Sequence, residues 1–118
     1  MLLTISQRLE RIPYPIRTVT AEEANTECQQ NGGDIIDVRE AAERENDPID
    51  GSIHIPRGVL EMQALEKFKQ AEQPLYIHCA SGARAQLAAE QLIAMGYQNV
   101  SAISCALPAV KDALNQQG

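Results

Sequence analysis

The 118-residue sequence has no tryptophan, one phenylalanine and three tyrosines. Aromatic packing therefore cannot dominate the interior, and a core of Ile, Leu, Val and Ala is expected from the 44% hydrophobic content. No apolar run approaches the ~20 residues of a membrane-spanning helix. The start, Met1-Leu2-Leu3-Thr4-Ile5-Ser6, has neither a basic flank nor a sustained apolar stretch, so a signal peptide is not expected and a cytoplasmic location is. An excess of cations is missing too. Ten basic residues face sixteen acidic ones, a net charge of −6, which argues against nucleic acid or an anionic membrane as partner. Any attraction for a small anion must then be local. The three cysteines, Cys28, Cys79 and Cys105, are odd in number and lack metal-ligand spacing, which points to a reduced compartment and one reactive thiol rather than a disulfide framework or a metal site.

What is present reads as one ordinary globular domain, with 22% charged residues and no repeat, linker or low-complexity segment. Short β-branched runs alternate with helical stretches, the pattern of an α/β domain with a mainly parallel sheet of five strands and helices on both faces. The expected strands are 17–19, 34–38, 52–55, 75–78 and 99–103. Thr20-Ala21-Glu22-Glu23 fits a capping box opening a helix that ends before Asn31-Gly32-Gly33. A short helix or turn is expected over 39–45. A further helix over 59–70 would turn Leu60, Ala64, Leu65 and Phe68 to one side. Another, from Ala85 to Met95, would bury Ala85, Ala88, Ala89, Leu92 and Met95, with Gly96 just past its end. A closing helix would point Leu107, Val110 and Leu114 inward, with Pro108 tolerated in its first turn. Residues 1–15 form an extension ahead of the 16–118 domain, with an amphipathic helix expected through Leu2, Ile5, Leu9 and Ile12 and stopped by Pro13 and Pro15.

The stretch Cys79-Ala80-Ser81-Gly82-Ala83-Arg84 lies between the apolar strand Leu75-Tyr76-Ile77-His78 and a helix. A cysteine at a strand end, then a tight loop, then a helix start, makes an anion cradle. Loop and first-turn N–H groups point inward, and the helix dipole adds partial positive charge. A thiol placed there is a candidate nucleophile, and Arg84 brings a planar fork of donors for a second anion.

Four residues separate Cys79 from Arg84, whereas cysteine-dependent phosphatases and arsenate reductases have five in the corresponding loop. The shorter loop resembles that of the rhodanese-type sulfurtransferases. The resemblance extends to Asp34-Ile35-Ile36-Asp37-Val38-Arg39-Glu40 with Glu43 following, to Gly51-Ser52-Ile53-His54-Ile55-Pro56-Arg57-Gly58, and to Gly96-Tyr97-Gln98-Asn99-Val100, in the family's order over residues 16–116. It implies a rhodanese-like domain. It also implies sulfur transfer through a persulfide on Cys79, with no metal or organic cofactor. The donor would be a small sulfur-containing anion such as thiosulfate, or a persulfide, and the acceptor cyanide or a thiol; a protein could fill either role. The chain departs from the family at Asp47-Pro48-Ile49-Asp50, where a glycine and histidine are usual, at Cys105-Ala106 in place of Gly-Gly, at Val110 in place of tryptophan, and at Ala85 in place of serine. A non-catalytic protein-binding module and a Cys-dependent phosphatase or arsenate reductase stand as alternatives.

Cys79 is thus the candidate nucleophile, and Ala80, Ser81, Gly82, Ala83 and Arg84 the anion-binding loop. Asp37 and Arg39 lie either at the pocket rim or in a structural ion pair, the latter expected between Arg39 and Glu43. His78 adjoins the cysteine, but alternation in a strand turns neighbours to opposite faces, so a hydrogen bond supporting the loop is expected rather than proton transfer. His54 reads as strand-end structure and Cys28 as inert. Cys105 is either a small core residue or a second thiol that resolves the persulfide or pairs with Cys79.

Overall fold

The computed structural model describes residues 1–104 and 106–115. Strands β1 (Arg17–Val19), β2 (Asp34–Asp37), β3 (Ile53–His54), β4 (Leu75–His78) and β5 (Val100–Ile103) form one parallel sheet in the order β1-β5-β4-β2-β3. All four residues of β4 are buried, because the strand has a neighbour on each side and helices over each face. Side-chain alternation divides the core in two. Ile36, Leu75, Ile77 and Ala102 pack with α4 (Leu60–Lys67) and α5 (Ala83–Ala94), through Leu60, Ala64, Ala85, Ala88, Ala89 and Leu92. Ile35, Tyr76 and Ile103 face α2 (Ala21–Asn31) and α6 (Leu107–Asn115), through Ala24, Val110, Ala113 and Leu114. The core is mainly aliphatic, with Phe68, Tyr76 and Tyr97 as its aromatic members.

Local signals set the element ends. Thr20 and Glu23 exchange the two bonds of a capping box at the start of α2. Thr4 and Gln7 do the same for α1 (Ile5–Glu10). A short helix, α3 (Ala41–Asn46), leaves the carboxyl end of β2.

Four expectations need correction. The segment after β3 starts as a 3-10 turn, Arg57–Val59, and α4 stops at Lys67. Leu65 is exposed, because the inward stripe runs Leu60-Ala64-Phe68 and Leu65 falls further round the helix. Met95 caps α5 and is exposed; Tyr97 takes the inward place, its hydroxyl 3.0 and 2.7 Å from the carbonyls of Ala64 and Phe68. In the N-terminal segment Leu2 and Ile5 are exposed while Leu9 and Ile12 are half-buried, so the expected apolar stripe is only partly covered. The segment is held to α5 by Arg8, 2.7 Å from Glu90, and by Tyr14, which donates to the Glu90 carbonyl. Among the described residues no helix is long and apolar enough to cross a membrane.

Candidate active site

The chain leaves β4 at His78, and the next residue, Cys79, is 1% exposed on the α4/α5 side of the sheet. The turn Ala80-Ser81-Gly82 leads directly into α5, which begins at Ala83, two residues earlier than its sequence predicts. Gly82 has φ 104°, a left-handed conformation that a side chain would strain. Its amide donates to Cys79 Sγ at 3.0 Å. The first backbone bond of α5 runs from Gln86 N–H to the Gly82 carbonyl, so the amides of Ala83, Arg84 and Ala85 precede the helical ladder at its positive end. The loop is braced from behind. The Ala80 carbonyl accepts from Leu107 N–H at 3.1 Å, and a Cβ on Gly82 would lie 3.5 Å from the Ser104 carbonyl oxygen. Ser81 is exposed at the tip.

Arg84 stands in the first turn of α5 and is already engaged. Its Nη1 and Nη2 donate to the two carboxylate oxygens of Glu43 at 2.7 and 2.9 Å, a bidentate pair linking α5 to α3. Glu43 Oε1 also accepts from Glu40 N–H. The Arg84 hydrogen bonds, followed by that from Glu40, hold the Glu43 carboxyl at about 2, and Glu43 in turn raises the Arg84 guanidinium. The sequence points to Glu43 as an ion-pair partner for Arg39; the structure gives its carboxylate to Arg84, and Arg39 Nη1 donates only to the Glu43 carbonyl, at 3.4 Å. Only tertiary packing could supply that partner, although the position of Glu43 in the first turn of α3 is a signal that its carboxylate is held in place.

Arg39 and Asp37 are 1% and 0% exposed and form the ion pair beneath the loop rather than a pocket rim. Arg39 Nε and Nη2 lie 2.9 to 3.1 Å from the Asp37 oxygens, and Nη2 also donates to the Asp47 carbonyl at 2.7 Å. Arg44 brings a second guanidinium to Asp37, at 3.1 Å. Burial pushes the Asp37 carboxyl up, but Arg39, His78 and Arg44 together hold it below its ordinary range. His54 Nε2 lies 2.8 Å from the Arg39 carbonyl, the strand-end role expected of it.

His78 is fully buried with Nδ1 4.0 Å from Asp37 Oδ1, and neither ring nitrogen has a hydrogen-bond partner among the described residues. The ring thus makes no hydrogen bond of good geometry to the loop among the described residues, although the Cys79 backbone lies close enough to favour its charged form. Burial pushes its pKa down, against the pull of Asp37 and the Cys79 backbone. Cys28 is half-buried in α2, and burial, with Asp34 and Glu27 nearby, pushes its thiol up to about 11. Cys105 lies outside the described residues. Lys111 and Asp47 pair across from α6, so the departing segment Asp47-Pro48-Ile49-Asp50 is fastened by charge, with Ile49 in the core. A cavity of about 840 Å³ opens at the amino ends of β1, β4 and β5, lined by Tyr14, Tyr76 and Tyr97, and shares no residue with the cysteine loop.

A comparison with protein families matches the Rhodanese-like domain over residues 20–113. Among curated proteins the chain is 41% identical, over 66 residues, to a Bacillus subtilis (strain 168) protein provisionally named sulfur carrier protein YrkF. That match covers 56% of this chain and 35% of the relative. Among solved structures, a Rhodopseudomonas palustris CGA009 protein of unknown function, RPA3614, described as a possible tyrosine phosphatase, aligns with a TM-score of 0.78 at 28% identity, covering 96% of this chain and 92% of that one. The human single-domain sulfurtransferase TSTD1 aligns with a TM-score of 0.68 at 23% identity over 80% and 95% of the two chains, a likeness of fold. A parallel five-stranded sheet with a cysteine loop at the tip of its central strand, matched by the family over most of its length, places this chain in the rhodanese-like domain family.

Proposed function

We propose that the protein is a sulfurtransferase that carries a sulfane sulfur as a persulfide on Cys79. One observation carries the reading: Cys79 Sγ sits at the end of β4, 3.0 Å from the Gly82 amide and at the positive end of α5. The thiolate attacks the outer sulfur of a thiosulfate or persulfide donor, and the donor's remaining group leaves. Loop amides then stabilise the anionic terminal sulfur, and a thiol or cyanide takes it in a second step, so ping-pong kinetics follow. The names of the Bacillus sulfur carrier and the human sulfurtransferase agree with this chemistry. Turnover with thiosulfate or a persulfide donor, and cyanide as acceptor, should be lost in Cys79→Ser while its thermal unfolding matches the wild type. Substantial turnover in Cys79→Ser would sink the assignment.

A second reading rests on the Rhodopseudomonas neighbour described as a possible tyrosine phosphatase. Four residues between Cys79 and Arg84 make a loop one residue shorter than the phosphatase pattern, and Arg84 is held by Glu43. Hydrolysis of an aryl phosphate that depends on Cys79 would favour that reading; none is expected.

A further inference from the structure

The cation expected to receive a substrate anion beside Cys79 is neutralised by the protein itself. Both terminal nitrogens of Arg84 are bound to Glu43, and Glu43 is fixed in turn by the Glu40 amide. Other cations are paired as well: Arg39 and Arg44 with Asp37, Arg57 with Glu61, Lys111 with Asp47. What remains at the sulfur is a set of backbone donors, the Gly82 amide and the first turn of α5. Such a cradle suits one anionic sulfur atom. Among the described residues it offers no uncommitted side-chain charge for a separate sulfonate, and the net charge of −6 gives no long-range attraction for a dianion. The Arg84 and Glu43 side chains are 37% and 36% exposed, so water screens the pair, and removing one partner exposes the other to an incoming ligand.

Resting on the sulfurtransferase reading, we propose that Glu43 is a specificity-determining residue: by clamping Arg84 it selects a persulfide carried on a thiol as sulfur donor over the dianion thiosulfate. With a persulfide, Cys79–S⁻ attacks the outer sulfur of R–S–SH. The Cys79–sulfur bond forms as the donor S–S bond breaks and R–S⁻ leaves with the electron pair; the proton of the transferred sulfur passes to R–S⁻, which leaves R–SH and the anionic Cys79–S–S⁻. No oxidant or reductant is consumed. With thiosulfate the leaving group is sulfite, whose two negative charges need the cation that Glu43 occupies.

The test compares thiosulfate with hydroxyethyl persulfide, whose organic part is uncharged, in wild type, Glu43→Gln and Glu43→Gln/Arg84→Gln. Glutamine retains the capping geometry at this helix position. The thiosulfate-to-persulfide ratio of kcat/KM should rise about tenfold in Glu43→Gln, through the thiosulfate KM, and return toward the wild-type value in the double variant. An unchanged or lower ratio in a folded Glu43→Gln overturns the proposal. If that variant does not fold, the wild-type protein decides: its thiosulfate-to-persulfide rate ratio should fall at least about tenfold below that of a free thiol. An equal or higher ratio overturns the proposal. Failure of the underlying reading looks different, since neither donor would then load sulfur onto Cys79.

Discussion

His78 combines full burial with two ring nitrogens that have no hydrogen-bond partner among the described residues, beside a carboxylate that Arg39 and Arg44 already claim. Its pKa is lowered chiefly by burial. As pH falls below the ordinary histidine value of about 6.5, the unfolded chain takes up a proton that the folded chain resists, so stability drops. The unfolding free energy of the wild type, from urea titration, should therefore fall between pH 7 and pH 5.5, by up to ~1.4 kcal/mol per pH unit for this one proton. In His78→Leu that part of the slope should vanish, and the variant should be no less stable at pH 7, because two unsatisfied buried nitrogens are gone. Parallel losses in the two proteins would contradict the account.

The loop joining β4 to α5 depends on one backbone conformation. Gly82, at φ 104°, brings its amide onto Cys79 Sγ and opens the helix one residue later. Gly82→Ala should cost ~1–3 kcal/mol in urea unfolding and slow sulfur loading, because the strained residue would withdraw the amide. Gly58→Ala, in the 3-10 turn and with nothing near its added Cβ, serves as the control and should leave both unchanged. A Gly82→Ala protein as stable and as fast as the wild type would show that the loop does not need this geometry. Elements of this kind were largely legible in the sequence, because a capping box such as Thr20–Glu23, a left-handed Gly96 and two-faced strands such as Ile35-Ile36 are local signals. The parts that were not legible depend on distant partners. Arg84 and Glu43 lie 41 residues apart, and neither periodicity nor motif spacing says that α3 delivers its carboxylate to α5. Periodicity likewise placed Leu65 and Met95 inward, where Tyr97 from the following turn fills the space below Ala64 and Phe68.

At the scale of the whole molecule, the parallel sheet gathers the carboxyl ends of β2, β3 and β4 at one edge, so that Cys79, the Asp37 ion cluster and the Arg84–Glu43 pair meet there. Brace contacts from the segment after β5 fix the loop from the other side. The fold thus presents the Cys79 sulfur among backbone donors. Cys28 is a poor competitor, half-buried in α2 with its thiol pushed up to about 11. Of the two cysteines among the described residues, Cys79 should accordingly be the one that takes up sulfur. The most direct measurement is the intact mass of the protein after incubation with hydroxyethyl persulfide or thiosulfate, with Cys79→Ser treated alongside. The account predicts a gain of one sulfur in the wild type alone, larger in extent with the persulfide and reversed by cyanide. No gain with either donor, or an equal gain in Cys79→Ser, would contradict it.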